Sequence, residues 1–258
     1  MTNKLTAAEI VAAARSDDKI TGRELIDGLI TDFFEQHGDR LGGDDPAIIG
    51  GMGYFHGQPV TVITTHRGTT PEEKMATHFG CPSPSGYRKA LRLMKQAAHF
   101  NRPIICFVNT PGAYPGQTAE ENGQGAAIAQ NLLTISQLPV PMITVILGEG
   151  GSGGALALSA GDEVWMLERS TYSILSPEGF ASILWKDSRR ADEAADLMQL
   201  TPQALLKQKI IEGIIDEPDD HQEVISKIDP ILNQQLQQLE TLTPTELITR
   251  RHERYRKF

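Results

Sequence analysis

Residues 148 to 154 read Gly148-Glu149-Gly150-Gly151-Ser152-Gly153-Gly154, between the apolar run Val140 to Leu147 and the helix-prone Ala155-Leu156-Ala157-Leu158. A strand, a tight glycine turn and a helix start together aim free backbone N–H groups at one point, which makes an anion or oxyanion site. A second segment of this kind runs from Pro103 to Val108 into Asn109-Thr110-Pro111-Gly112-Ala113-Tyr114-Pro115-Gly116. Two backbone-rich turns after two buried strands predict one shared site. The alternative reading of Thr110 to Gly116 is a Pro/Gly turn with a structural role only.

Three further readings compete for the cluster. Gly148, Gly150 and Gly153 satisfy the dinucleotide pattern G-x-G-x-x-G, with Glu168 beyond, although that fingerprint normally opens a βαβ unit rather than arriving past mid-chain. Gly150 to Gly154 also satisfy G-x-S-x-G, the strained elbow of a nucleophilic serine. Ser152 would then need a later histidine, and His221 and His252, which follow it, lie in polar helical stretches. In the third reading the glycines merely let helix and strand pack closely. A backbone oxyanion site uses what glycine supplies, exposed N–H groups with no side chain in the way.

The elements that must carry these turns follow from periodicity. Residues 5 to 37 read as helical, with a capping box at Thr21-Gly22-Arg23-Glu24 ahead of Leu25, Ile26, Leu29, Ile30 and Phe33. Residues 47–55 and 59–65 form a hairpin about His56-Gly57-Gln58. An amphipathic helix capped by Ser85 over 85–100 feeds the strand at 103–108, and Thr118-Ala119-Glu120-Glu121 caps another helix. Strands follow at 140–147, 163–167 and 172–175, with a short helix to Ala160 between the first two. Helices alternating with apolar strands imply an α/β core covered on both faces. The expected layout is one domain over 1–258, with a helical N-terminal segment (1–40), a core (41–200) and a helical C-terminal extension (201–258).

Bulk properties narrow the partners. With 33 acidic against 24 basic residues the net charge is -9, which argues against nucleic acid as the main partner. Cys81 and Cys106 fit no ligand spacing, and the seven histidines show none, so no metal is expected in this chain. No stretch reaches the ~18 uninterrupted apolar residues of a spanning helix, and no signal core follows Met1-Thr2-Asn3-Lys4-Leu5. The expectation is a cytoplasmic, unprocessed chain with no membrane partner.

Longer blocks carry a resemblance. Phe79 to Met94 (FGCPSPSGYRKALRLM), Asn109 to Gly116, Gly148 to Leu156, Ser170 to Gly179 and Ala181 to Lys186 are similar, in order, to the alpha subunits of bacterial acetyl-CoA carboxylase carboxyltransferase. The resemblance implies a crotonase-like (ClpP/crotonase) α/β fold of repeated ββα units. It also implies a beta subunit of similar fold that carries a zinc ribbon, absent here, in an alpha2beta2 assembly. The implied reaction moves a carboxyl group from carboxybiotin, borne by a biotin carboxyl carrier protein and loaded by biotin carboxylase, onto acetyl-CoA to give malonyl-CoA for fatty-acid synthesis. The alternative on this fold is a thioester or peptide hydrolase using Ser152.

Charge builds on the ureido oxygen of biotin as the carboxyl group leaves, and preorganised N–H donors stabilise it. Gly153 and Gly154 are the expected donors. Gly150, Gly151, Ser152, Gly112, Ala113, Tyr114, Tyr172, Glu178 and Gly179 are expected to shape the biotin cleft. The freed biotin nitrogen can take the acetyl proton, so no catalytic side chain is required. Arg88, Lys89 and Arg92, with Lys95, form a basic cluster for CoA phosphates or the partner subunit, or else a solvated helix face. Family members carry Asp before Thr-Pro-Gly and Arg after the paired glutamates, where this chain has Asn109 and Asn122.

Overall fold

The computed structural model describes residues 5–258. Its strands are β1 (Thr31–Glu35), β2 (Ile48–Phe55), β3 (Gln58–Thr65), β4 (Ile104–Thr110), β5 (Met142–Gly151), β6 (Glu163–Leu167), β7 (Thr171–Ser173) and β8 (Gly213–Ile215). The helices are α1 (Ala7–Ala14), α2 (Gly22–Leu29), α3 (Pro71–Ala76), α4 (Pro84–His99), α5 (Gln117–Glu121), α6 (Gln124–Ile135), α7 (Ser152–Ser159), α8 (Pro177–Trp185), α9 (Ala191–Met198), α10 (Pro202–Lys207), α11 (His221–Glu240) and α12 (Pro244–Tyr255). One sheet runs in the order β1-β2-β3-β4-β5-β6-β8, with β7 paired to the far end of β5. From β3 to β8 every pairing is parallel, whereas β1, β2 and β3 are antiparallel.

Strand periodicity splits the core into two layers. Ile105 and Phe107 of β4 and Ile143, Val145 and Leu147 of β5 join the cluster roofed by α2 and α11. The alternate residues Ile104, Cys106, Val108, Met142 and Ile146 join the cluster roofed by α4, α6 and α7. A parallel sheet buried on both faces needs apolar residues at both parities, which is why β4 and β5 read as unbroken apolar runs. The hairpin closes at His56 (φ 48) and Gly57 (φ 77), a left-handed pair that matches the twist of its strands.

Four expectations need correction. Thr31–Glu35 is a strand although Phe33 continues the helical spacing, because α2 stops at Leu29 and this aromatic run pairs with β2. Helix α4 is entered from Ser83 with Pro84 in its first turn, so Ser85 lies inside it. The box at Thr118 does not form, since α5 starts from Gly116 and α6 follows the left-handed Gly123. Residues 201–258 are no mere extension: β8 completes the sheet beside β6, and α11 buries Val224, Ile228, Leu232 and Leu236 against it.

The last helix is fastened by Arg250, Arg251 and Arg254, of which Arg251 is the most deeply buried. Arg251, 1% exposed, donates to the carbonyls of Ile135, Leu138 and Val140 and pairs with Asp162 at 2.7 and 3.0 Å. Asp162 also accepts from Met142 N–H, so the pair sits where β5 begins. Arg251→Ala is expected to cost about 3–5 kcal/mol, since it strands a buried carboxylate and three carbonyls. Urea unfolding of the variant measures this, and a loss below about 1 kcal/mol would contradict the role.

Candidate functional site

Strands β4 and β5 lie side by side from Ile104↔Met142 to Thr110↔Gly150, with an irregularity between Val108 and Thr110. Both therefore deliver their C-terminal ends to the same place. The turn after β4 crosses directly over Gly151, where a Cβ would land on Pro111 O. The two glycine-bearing segments predicted to share a site thus meet by backbone contact.

The cluster itself differs from the expected turn. Gly148, Gly150 and Gly151 continue β5, and β7 pairs with β5 from Glu149 to Gly151. The change of direction falls on Ser152, at φ 52, and α7 starts there. With Gly148 and Gly150 in mid-strand, the dinucleotide fingerprint has no turn to occupy. Most of the glycines serve close packing: a Cβ at 148 would meet Ala14 O and Asn109 Oδ1 at 2.6 Å, and one at 150 would meet the Tyr172 ring at 2.9 Å. At Gly154 it would strike Ala113 N and the Tyr87 hydroxyl. Gly153 is different. Its nearest neighbour is Ile128 at 3.6 Å, so it borders open space.

No side chain caps α7, so its leading N–H groups, those of Ser152, Gly153 and Gly154, have no intrahelical acceptor. Ala113 N, beside Gly154, also lacks an acceptor among the described residues, whereas Gly112 N donates to Thr110 Oγ1. Gly112 sits at φ 147, which favours glycine. Ser152 and Gly153 line an apolar groove of about 520 Å³ with Leu156, Tyr172, Ile174, Phe180 and Leu197 among others, whereas Gly154 is buried against Ala113. Tyr172 is held by a 2.9 Å hydrogen bond between its hydroxyl and Ser159, and burial raises its pKa.

The serine has no base. His221 pairs with Glu24 and the Asp18 carbonyl, and His252 with the Ser136 carbonyl, so both histidines that follow Ser152 are engaged elsewhere. Among the described residues no cluster of His, Cys, Asp or Glu could hold a metal ion.

Behind the donors lies an ionic latch. Arg15 donates through Nε to Glu149 at 2.8 Å and through both terminal nitrogens to Glu178 at 2.7 and 3.1 Å. Arg67 donates to the other oxygen of Glu149 at 2.9 Å and to Asn109 Oδ1 at 3.3 Å, and Asn109 Oδ1 also accepts from Glu149 N–H. The latch joins α1, β4, β5 and α8 and lines a smaller pocket of about 340 Å³ with Pro111, Gly150 and Gly151. Glu178 therefore faces Arg15, and the Gly179 N–H is taken by Ser176 Oγ. Asn109 fills its place as a neutral acceptor, while Asn122 bonds locally to Thr118 O and accepts from Arg88.

The basic cluster on α4 is engaged within the chain. Arg88 pairs with Asp39, Lys89 with Asp44 and the Asp45 carbonyl, and Arg92 with Gln36 and the carbonyls of Gly38 and His37. Lys89 is 1% exposed. These side chains hold the 36–45 loop, which departs from a role on CoA phosphates, and Lys95 alone of the four projects into solvent. Sequence reasoning missed Arg15, Arg67 and Glu149. Their partners lie up to 163 residues away, and no local pattern marks such pairs.

The fold is of the crotonase-like class. Its sheet superposes on the transcarboxylase 12S core with a TM-score of 0.68 at 20% identity, covering 88% of this chain and 44% of that one. The beta subunit of geranyl-CoA carboxylase from P. aeruginosa gives 0.67 at 14% identity, covering 90% and 44%. The family described as acetyl co-enzyme A carboxylase carboxyltransferase-like matches residues 1–258. The alpha subunit of acetyl-coenzyme A carboxylase carboxyl transferase from Streptococcus gordonii is 51% identical over 250 residues, 96% of this chain and 98% of that protein. The Bacillus velezensis alpha subunit is 53% identical over 95% of this chain and 77% of its own length. A joined beta/alpha protein of Natranaerobius thermophilus is 52% identical over 98% of this chain and 43% of its own. The chain belongs to the alpha-subunit family of acetyl-CoA carboxylase carboxyltransferases, enzymes of carboxyl transfer.

Two outcomes follow from the geometry. Gly151→Ala is expected to destabilise by about 1–3 kcal/mol, because its methyl meets backbone that cannot yield, while Gly153→Ala stays within about 1 kcal/mol of the parent. Denaturant melts of both compare them directly. Arg15 holds the Glu178 carboxyl at about 2, below its usual 4.5. The contribution of this pair to stability is present in full above pH 4.5 and is lost as pH falls toward 2. The melting-temperature gap between the parent and Glu178→Gln should be flat above pH 5 and close below it.

Proposed function

We propose that this chain binds the ureido end of carboxybiotin at the start of α7 and supports transfer of the carboxyl group from the ureido nitrogen to acetyl-CoA, forming malonyl-CoA and free biotin together with a beta subunit. The observation that carries the reading is the uncapped start of α7, where Gly153 borders the apolar groove with room beside it, with Gly154 next to the unpaired Ala113 N–H of the facing turn. The donor set fits the group: a neutral bicyclic urea needs hydrogen bonds to one oxygen and apolar surface for its rings. Tyr172, Leu156 and Phe180 offer that surface.

Carboxybiotin, borne by a carrier protein, supplies an activated carboxyl group. The chain's own contribution is electrostatic. Its N–H groups stabilise charge on the ureido oxygen, the apolar groove excludes water, and the fixed backbone needs no reorganisation when charge develops. Side chains at 148, 150, 151 and 154 are excluded by packing, so the donors keep their positions with or without substrate.

A beta subunit is the assigned partner, in accord with the joined beta/alpha relative. We assign it the acetyl-CoA contacts, a second oxyanion site and a zinc ribbon, in an alpha2beta2 assembly supplied by the carrier protein and biotin carboxylase. The surface we assign to it flanks the groove, where Ile174, Ile183, Leu184 and Leu197 are exposed by 80%, 68%, 56% and 58%. A patch of four large apolar side chains on neighbouring elements is the kind of surface a subunit covers.

Gly153→Val tests the donor site without the clash that any side chain at Gly154 would cause. Turnover by the alpha–beta complex should fall about 10²-fold while the melting temperature holds. Full activity in the assembled variant would exclude this site. Sizing chromatography with added beta subunit should show a hetero-oligomer that Ile183→Asp weakens at least tenfold, and malonyl-CoA formation should require both chains. Turnover by the lone alpha chain would refute the division of labour.

A further inference from the structure

Ahead of α4 the backbone does something costly. His78, Phe79 and Gly80 take φ values of 50, 56 and 83 in succession, a left-handed stretch in which only the last residue is glycine. For residues with a Cβ, each such position costs on the order of 1–2 kcal/mol, and for an aromatic residue it is uncommon. Strain of this kind persists where surrounding structure imposes it, and it concentrates at functional sites. The surroundings here are specific. Gly80 packs against the Arg67 side chain, and Arg67 is held by Glu149 and Asn109 in the latch behind the donors.

The strained turn serves to aim one ring. The His78 imidazole lies on the Tyr114 ring with centroids 4.0 Å apart and planes inclined by 22°, a stacked pair. Tyr114 also abuts Gly116, where a Cβ would come within 2.9 Å of the phenol oxygen. The backbone of Tyr114 is fixed as well: its N–H donates to Pro82 O at 3.0 Å, and Gln124 Nε2 donates to both Pro82 O and Tyr114 O at 2.9 and 3.1 Å. His78 Nδ1 is buried and has no hydrogen-bond partner among the described residues, so the ring is kept for its face rather than for a polar contact. Tyr114 directly follows Ala113, whose free N–H is one of the proposed donors.

We propose that His78 is a positioning residue of the carboxybiotin cleft: the left-handed turn at 78–80 presses its ring on Tyr114 and so sets the place of the Ala113 donor and of the wall behind it. The proposal rests on the reading of this cleft as the biotin site. It predicts selectivity, because His78 touches the biotin wall and no surface assigned to CoA.

The test uses the assembled alpha–beta complex in the reverse direction, with malonyl-CoA as donor and free biotin as acceptor. His78→Ala should raise the KM for biotin about tenfold, the worth of an aromatic pair, with the KM for malonyl-CoA unchanged within twofold. His78→Phe, which keeps the stack and discards both nitrogens, should restore the biotin KM to within twofold of the parent. If His78→Ala does not assemble, Tyr114→Leu removes the other half of the pair and should give the same selective rise. Absence of transfer in the unmodified complex overturns the functional reading together with this proposal. Normal transfer with an unchanged biotin KM in His78→Ala, an equal rise in both KM values, or failure of His78→Phe to rescue overturns the proposal alone.

Discussion

Everything in the site depends on one steric constraint, the passage of the Pro111–Gly112 backbone across Gly151 with no space for a Cβ between them. Because the two chains touch, the end of β4 and the start of α7 cannot move independently. The register from Ile104↔Met142 to Thr110↔Gly150 carries that contact back into the buried sheet, so the placement of the donors follows from strand pairing. A site built this way has few adjustable side chains. Its accuracy is inherited from strand pairing.

The latch complements this arrangement in the pocket that Pro111 and Gly151 also line. Glu149 lies between Arg15 and Arg67, and its side chain is 13% exposed, so the ion pairs are partly shielded from solvent. A single exposed pair contributes little, whereas charges shared among three elements restrain those elements jointly. Asn109 takes part without a charge of its own. A carboxylate there would add a second negative group beside Glu149 and compete with it for Arg67.

Much of the sheet was legible because its residues obey a single rule. The apolar runs at β4 and β5, the His56-Gly57 hairpin and the convergence of the two glycine segments all follow from local pattern. The cluster at 148–154 was harder. Its glycines announced a turn, yet pairing with β7, a long-range event, draws three of them into the strand, and packing rather than donor exposure explains most of them. Thr31–Glu35 was hidden because Leu29, Ile30 and Phe33 fit helical and extended spacing alike. Arg88, Lys89 and Arg92 looked like a solvent-facing cluster because the acidic loop that engages them lies more than forty positions upstream. The strained turn at His78 leaves no trace in composition, since nothing in His-Phe-Gly requires left-handed backbone at its first two positions.

The position of Arg251 bears on how the chain comes to be made. The carbonyls of Ile135, Leu138 and Val140 and the Asp162 carboxylate sit at the entrance of β5, yet the guanidinium that satisfies them belongs to the final helix. During synthesis from the N-terminus these groups remain without their cation until Arg251 follows, 116 residues after Ile135 and 89 after Asp162. The entrance of the strand that leads into α7 is therefore completed only when this later helix is present, and a chain terminated before Arg251 lacks the group that locks it.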